Sequence, residues 1–238
     1  MEVFNQKVAK NYNQWYAINT RWDELEKRLI LELIKPDYSK TLLDIGCGCG
    51  WHLKWFKDLG LKVWGVDKSP FMAEEANRFL GENVVEVMDA ENLKFNDKSF
   101  NFVTLITVLE FTENPEKEVM DAENLKFNDK SFNFVTLITV LEFTENPEKV
   151  LREALRVAQE KVFLGVLNKY SWLGIKRKIE SFFKKESLYK KAKFFSVREI
   201  LKLLHNIIKN GKIEWGTTIP HTPEKNRWGA FIGVIIEK

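Results

Sequence analysis

Residues 86–117, EVMDAENLKFNDKSFNFVTLITVLEFTENPEK, recur without a change as residues 118–149. Any fold of this chain must therefore find room for the same stretch twice. Solenoids stack three or more diverged units. Two identical units inside an otherwise non-repetitive chain point away from a solenoid and towards one surplus copy. Each copy has one natural neighbour: a strand over Val84–Met88 runs into the first, and a helix from Pro147 through Val157 grows out of the second. The simplest arrangement keeps Glu86–Leu93 and Ser131–Lys149 in the fold and extrudes roughly Lys94–Lys130. Closing a loop of that size costs only about 3 kcal/mol. The other arrangement adds the surplus strand to the sheet, because an unburied Phe100–Phe111 or its twin would invite aggregation or extra pairing.

Around the repeat, strands and helices alternate. Trp22, Leu25, Leu29, Leu33 and Ile34 fall at helical spacing, and Pro36 stops that helix. TLLDI reads as a buried strand, Trp51–Leu59 as a helix closed by Gly60, and KVWGV as a second strand. Ser69 and Pro70 suit the cap and first position of a helix ending at Gly81. After the repeat come a strand, KVFLGVL, a lysine-rich stretch from Lys169 to Lys193, a helix ending near Ile208, and two closing strands, IEWGTTI and GAFIGVIIEK. This alternation predicts an α/β fold: a Rossmann-like, doubly wound, mostly parallel seven-stranded sheet with a C-terminal antiparallel hairpin and one repeat copy looped out or added. The 238 residues suit one domain, with N-terminal helices over 1–35, a cofactor-binding core over 41–168 that includes the duplicated 86–149, a basic helical cap over 169–210 and a closing hairpin over 211–238. A ligand is expected at the carboxyl ends of the strands.

The net charge of +3 is too mild for a nucleic-acid partner. Cys47 and Cys49, the only cysteines, lie too close in one turn for a relaxed disulfide and are too few for a structural metal. They read as packing residues in a reducing cytoplasm, and no metal is expected. The N-terminus lacks a signal-peptide pattern, and no apolar run is long enough to span a membrane.

Glycines 46, 48 and 50 directly after a strand let the backbone turn sharply and approach a ligand, with the next helix offering its amide end. Trp51 stands where the dinucleotide fingerprint needs its third glycine. Asp67, ending the second strand, can accept two hydrogen bonds from a ribose diol or cap a helix. Asp89, ending the third, can accept from an adenine amine.

LLDIGCGCG, VWGVDKSP, MDAENLKF and SFNFVTLITVLEF, in this order and spacing, resemble the successive motifs of class I S-adenosylmethionine-dependent methyltransferases, especially the quinone-biosynthesis and other small-molecule group. The resemblance covers nearly the whole chain once. It implies S-adenosylmethionine as cofactor, with Asp44, Gly46, Cys47 and Gly48 at the methionine moiety, Asp67 and Lys68 at the ribose, and Asp89 with the Ala90 backbone at the adenine. Thr107, or its twin Thr139, matches the position near the reactive methyl. The chain departs from the family in having Asn101 and Asn133 where an aspartate is frequent, and phenylalanine in place of a common histidine after that strand.

Methyl transfer from an activated sulfonium needs mainly alignment of the acceptor, so no catalytic base is assigned. Glu142 or Glu110, His221, Tyr12 and Tyr16 are candidates to face an acceptor, each with a structural alternative. Residues 169–195 carry nine lysines and arginines against two glutamates, interleaved with aromatics. Such a stretch suits a cap over an apolar acceptor pocket, peripheral contact with an anionic membrane, or RNA. Three alternatives stand beside methyl transfer to a small, apolar or membrane-associated molecule: an NAD-type oxidoreductase, a cofactor-binding protein without turnover, and an RNA methyltransferase.

Overall fold

The structure, a computed structural model, describes residues 20–106, 122–183, 192–218 and 226–238. Helix α1 (Thr20–Ile34) leads into β1 (Thr41–Ile45), α2 (Trp51–Asp58), β2 (Lys62–Asp67), α3 (Pro70–Leu80) and β3 (Val85–Val87). Two strands from the repeat follow, β4 (Phe102–Ile106) and β5 (Phe132–Ile138), then α4 (Pro147–Val157), β6 (Ala158–Leu167), α5 (Trp172–Phe183), α6 (Val197–Ile207), β7 (Lys212–Thr217) and β8 (Phe231–Glu237).

The sheet has eight strands in the order β3-β2-β1-β4-β5-β6-β8-β7. Pairing is parallel from β3 to β6 and antiparallel for β6–β8 and β8–β7. The Rossmann-like layout and closing hairpin are as expected. The eighth strand comes from the repeat, so of the two expected fates of the surplus copy the added strand is the one observed.

Extrusion of Lys94–Lys130 is therefore corrected: β4 lies within that range and forms the middle of the sheet. The reason is edge chemistry. The first copy's strand pairs with β1 on one side and the second copy's with β6 on the other, so each would be left with one bare edge of N–H and C=O groups. Those two edges pair with each other, Phe102 beside Phe134, Thr104 beside Thr136 and Ile106 beside Ile138, so that every residue lies next to its own twin. Residues 107–131, the segment joining the two strands, are long enough for the crossover that a parallel pair requires. The sheet is wider by one strand, about 4.8 Å.

Internal geometry is repeated as well as sequence. Phe95 meets Phe100 edge-on at 5.0 Å in the first copy, and Phe127 meets Phe132 at 4.7 Å in the second. Lys98 and Lys130 both adopt left-handed backbone, φ 63° and 58°. A hydrogen-bonded chain crosses the start of the strands: Asn101 Oδ1 accepts from Thr41, its amide donates to Asn133 Oδ1, and the Asn133 amide donates to Glu160. An amide can accept on one side and donate on the other, whereas two facing carboxylates would repel. The asparagines that depart from the family pattern thus suit twin strands.

Elsewhere, local signals fix the elements. Ser69 Oγ accepts from Met72 N–H to cap α3, Pro70 opens it, and Gly81 ends it with φ 72°. Ser196 and Glu199 form a capping box on α6. The core divides into two apolar layers, one on each face of the sheet. Leu137, Leu151 and Ile200 belong to one, and Leu42, Leu53 and Phe163 to the other.

Candidate active site

The carboxyl ends of β1, β2 and β3 each carry an aspartate. Asp44 lies in β1 and is buried at the centre of the sheet. Its register partner on the first repeat copy, Thr104, donates Oγ1–H to Asp44 Oδ1 at 2.7 Å. Burial pushes the Asp44 carboxyl up to about 7; the Thr104 hydrogen bond opposes this, and the neighbouring Asp67 charge adds to it.

Beyond β1 the chain turns through Gly46, Gly48 and Gly50, all left-handed, with φ 72°, 54° and 78°. Left-handed backbone costs glycine no Cβ clash. Side chains at Gly46 would meet nothing, which leaves the backbone bare on that side. Gly46 and Cys47 N–H both donate to Val66 O, fastening the turn to β2. Gly50 brings α2 against α3, where an added Cβ would sit 3.2 Å from Ala76.

Asp67 organises this turn. One carboxylate oxygen accepts from Gly48 N–H at 2.8 Å and the other from Ser69 N–H at 2.9 Å. Each oxygen keeps a second lone pair. Burial raises this carboxyl, and the two backbone donors oppose the rise. Lys68 and Asp89 form an ion pair at 3.0 Å across the ends of β2 and β3, and Ala90 opens a short 3-10 turn there. Exposed as it is, such a pair contributes little stability. Both cysteines are buried thiols outside any disulfide; burial drives both above their usual range, so they are not thiolates.

The sequence-derived residues Asp44, Gly46, Cys47, Gly48, Asp67, Lys68, Asp89 and Ala90 thus lie along three adjacent strand ends and the turn that joins them. Thr139 does not join them. It directly follows β5, with φ 52°, and its N–H donates to Gly165 O on β6. The strand next to β1 is β4, which leads into Thr107; Thr107, Glu110, His221, Tyr12 and Tyr16 lie outside the described residues.

Two contributions escaped the sequence reading. One is Thr104, a lone hydroxyl in an apolar strand, whose meaning depends on facing Asp44. The other comes from α1: Asp23 accepts from Trp51 Nε1 at 3.3 Å, and Lys27 lies over the Trp51 and Trp55 rings. Helix α1 thereby covers the start of α2, and Trp51 stacks on Phe79 of α3.

Glu142, in the second copy, is also buried. Its Oε1 accepts from Leu167 N–H at 2.6 Å, while Oε2 has no hydrogen-bond partner among the described residues. Burial pushes it up to about 8, so it is largely protonated at neutral pH.

The family described as "methyltransferase domain" matches residues 43–119 and again 117–164, the two matches meeting inside the repeat. An uncharacterized protein of Methanocaldococcus jannaschii is 29% identical over 210 residues, 87% of this chain and 80% of that protein. A demethylmenaquinone methyltransferase of Thermotoga maritima is 29% identical over 112 residues, 44% of this chain and 47% of that enzyme. In fold, the chain is similar to the crystal structure of a Thermotoga maritima SAM-dependent methyltransferase, described as a possible histamine N-methyltransferase. The TM-score is 0.57 at 24% identity, covering 98% of this chain and 97% of that one.

Proposed function

The chain belongs to the class I S-adenosylmethionine-dependent methyltransferases, and from that premise we propose that it methylates a small, apolar acceptor drawn from a membrane surface. The observation that carries the cofactor half of this reading is Asp67, whose carboxylate ties the glycine turn to the end of β2 and keeps a lone pair free on each oxygen.

The residues present fit S-adenosylmethionine. A cationic methyl donor suits a site walled by Asp44 and Asp67, whose mutual repulsion a positive charge relieves. The bare backbone at Gly46 admits the methionine moiety, Asp67 receives the ribose hydroxyls with Lys68 beside them, and Asp89 with the Ala90 backbone receives the adenine. When bound, the cofactor supplies a methyl group already activated on a sulfonium. The chain's own part is to orient it and exclude water. Thr107, following the strand beside β1, is the better candidate to lie near that methyl, since Thr139 follows a strand one place further away.

An apolar acceptor is favoured by the partial likeness to the demethylmenaquinone enzyme and by the aromatic, basic segment after β6. The family match removes the oxidoreductase alternative. A second reading, cofactor binding without turnover, is favoured by the extra strand, which moves the second copy's residues one place away from β1.

Calorimetry with S-adenosylmethionine, NAD as control, and a methyl-transfer assay with a demethylmenaquinone-like acceptor test this on the chain and on a form lacking residues 118–149. Both forms are expected to bind the cofactor and ignore NAD. Transfer by both supports the proposal, transfer by the shortened form alone supports the second reading, and binding of NAD instead would sink both.

A further inference from the structure

Among its described side chains, helix α5 turns several apolar groups outward. Its buried side carries Gly174 and Ser181, and Gly174 packs so tightly that an added Cβ would lie 2.1 Å from Asn168 O. Its outward side carries Trp172, Ile175 and Ile179, exposed by 81%, 43% and 53%, with Lys176 among them. Spacings of three and four residues put these apolar side chains on one stripe. Tyr170, 55% exposed, precedes the helix, and Trp228, 69% exposed, comes from the turn before β8. Asn168 joins the two: its side-chain amide donates to Arg227 O and Gly229 O, while its Oδ1 accepts from Tyr170 N–H.

We propose that this outward face of α5, with Trp228 beside it, docks on an anionic lipid surface, the helix lying in the plane of the interface. Clustered exposed aromatics and isoleucines mark an interaction surface. The chemistry selects the partner. Lys176 lies on the face itself with Arg177 and Lys178 next to it in the helix, and residues 169–195 as a whole carry nine lysines and arginines against two glutamates, a charge that disfavours a second copy of the chain and attracts acidic headgroups. Tryptophan and tyrosine suit the headgroup level, and the isoleucines gain only from an acyl layer, having nothing to stack on in a nucleic acid. Among the described residues no helix is long and apolar enough to cross a membrane, so this contact is peripheral. The docking deepens, and rests on, the reading that the acceptor is apolar and membrane-borne.

Vesicle flotation tests it on the full chain, using phosphatidylcholine alone and phosphatidylcholine with about one-quarter phosphatidylglycerol. The chain is expected to float with the anionic vesicles and to bind neutral ones, or anionic ones at high salt, about tenfold more weakly. Ile175→Asp with Ile179→Asp, both exposed and outside the cofactor site, is expected to abolish flotation and leave the melting temperature and cofactor affinity unchanged. No flotation of the parent chain, or flotation undiminished in the variant, overturns the proposal. So does a dimer or an RNA complex, formed without vesicles, that the same variant disrupts. Flotation by a chain that binds no S-adenosylmethionine supports the docking and removes the enzymatic reading, so the two fail separately.

Discussion

Thr104 and Thr136 are the same residue of the same repeat, paired side by side, yet their surroundings differ. Thr104 faces β1 and donates to the buried Asp44; Thr136 lies between Thr104 and Phe163 of β6. The contrast continues along the copies. Asp97 accepts from Asn128 and Ser131 of the second copy, while its twin Asp129 pairs with Arg156 of α4. Arg156 also donates to Leu125 O and Phe127 O, fixing the second copy's turn to α4. Identical local sequence builds the same strand and the same phenylalanine contact twice. Which neighbour it meets decides what each residue does.

The largest expected difference between the copies is in stability. Phe134 is buried in the core, whereas Phe102 is only partly buried against it. Phe134→Ala is expected to destabilise the chain by about 3–4 kcal/mol and Phe102→Ala by about half as much. Urea denaturation measures both. Equal costs would mean that the two strands share one environment.

The second copy also carries a pH-dependent contribution. Glu142 belongs to the second copy, and its folded pKa of about 8 lies above the ordinary 4.5. Between those values the folded chain holds a proton that the unfolded chain has released, so this group's contribution to stability falls as pH rises through that window and levels off above it. Glu142→Gln keeps the bond from Leu167 and has nothing to ionise. Its stability relative to the parent should therefore grow by up to about 1.4 kcal/mol per pH unit from pH 5 to 8. A difference that does not change with pH would show that Glu142 titrates normally.

Much of this was legible from residues alone. Strand TLLDI, the Ser69–Pro70 start of α3 and the span of α4 each rest on local signals, an apolar run, a cap and a proline, and they fall where those signals lie. The aspartates at successive strand ends were legible too, because strand ends can be read from periodicity. The fate of the surplus copy was not. Two identical segments carry no local information about which neighbour each will choose, and the pairing of their free edges is a tertiary event. Thr104 was hidden for the same reason: a threonine inside FVTLI signals nothing until the register sets it opposite Asp44.

The central claim is that the first copy, not the second, completes the cofactor site. Calorimetry with S-adenosylmethionine on Thr104→Val beside Thr136→Val tests it directly. A bound cation draws Asp44 into its ionised form, to which a hydrogen bond contributes about 1.5–3 kcal/mol against about 0.5–1.5 kcal/mol for a neutral partner, so Thr104→Val is expected to weaken binding about tenfold, with Thr136→Val within about twofold of the parent. Equal losses, or a greater loss in Thr136→Val, would contradict the account.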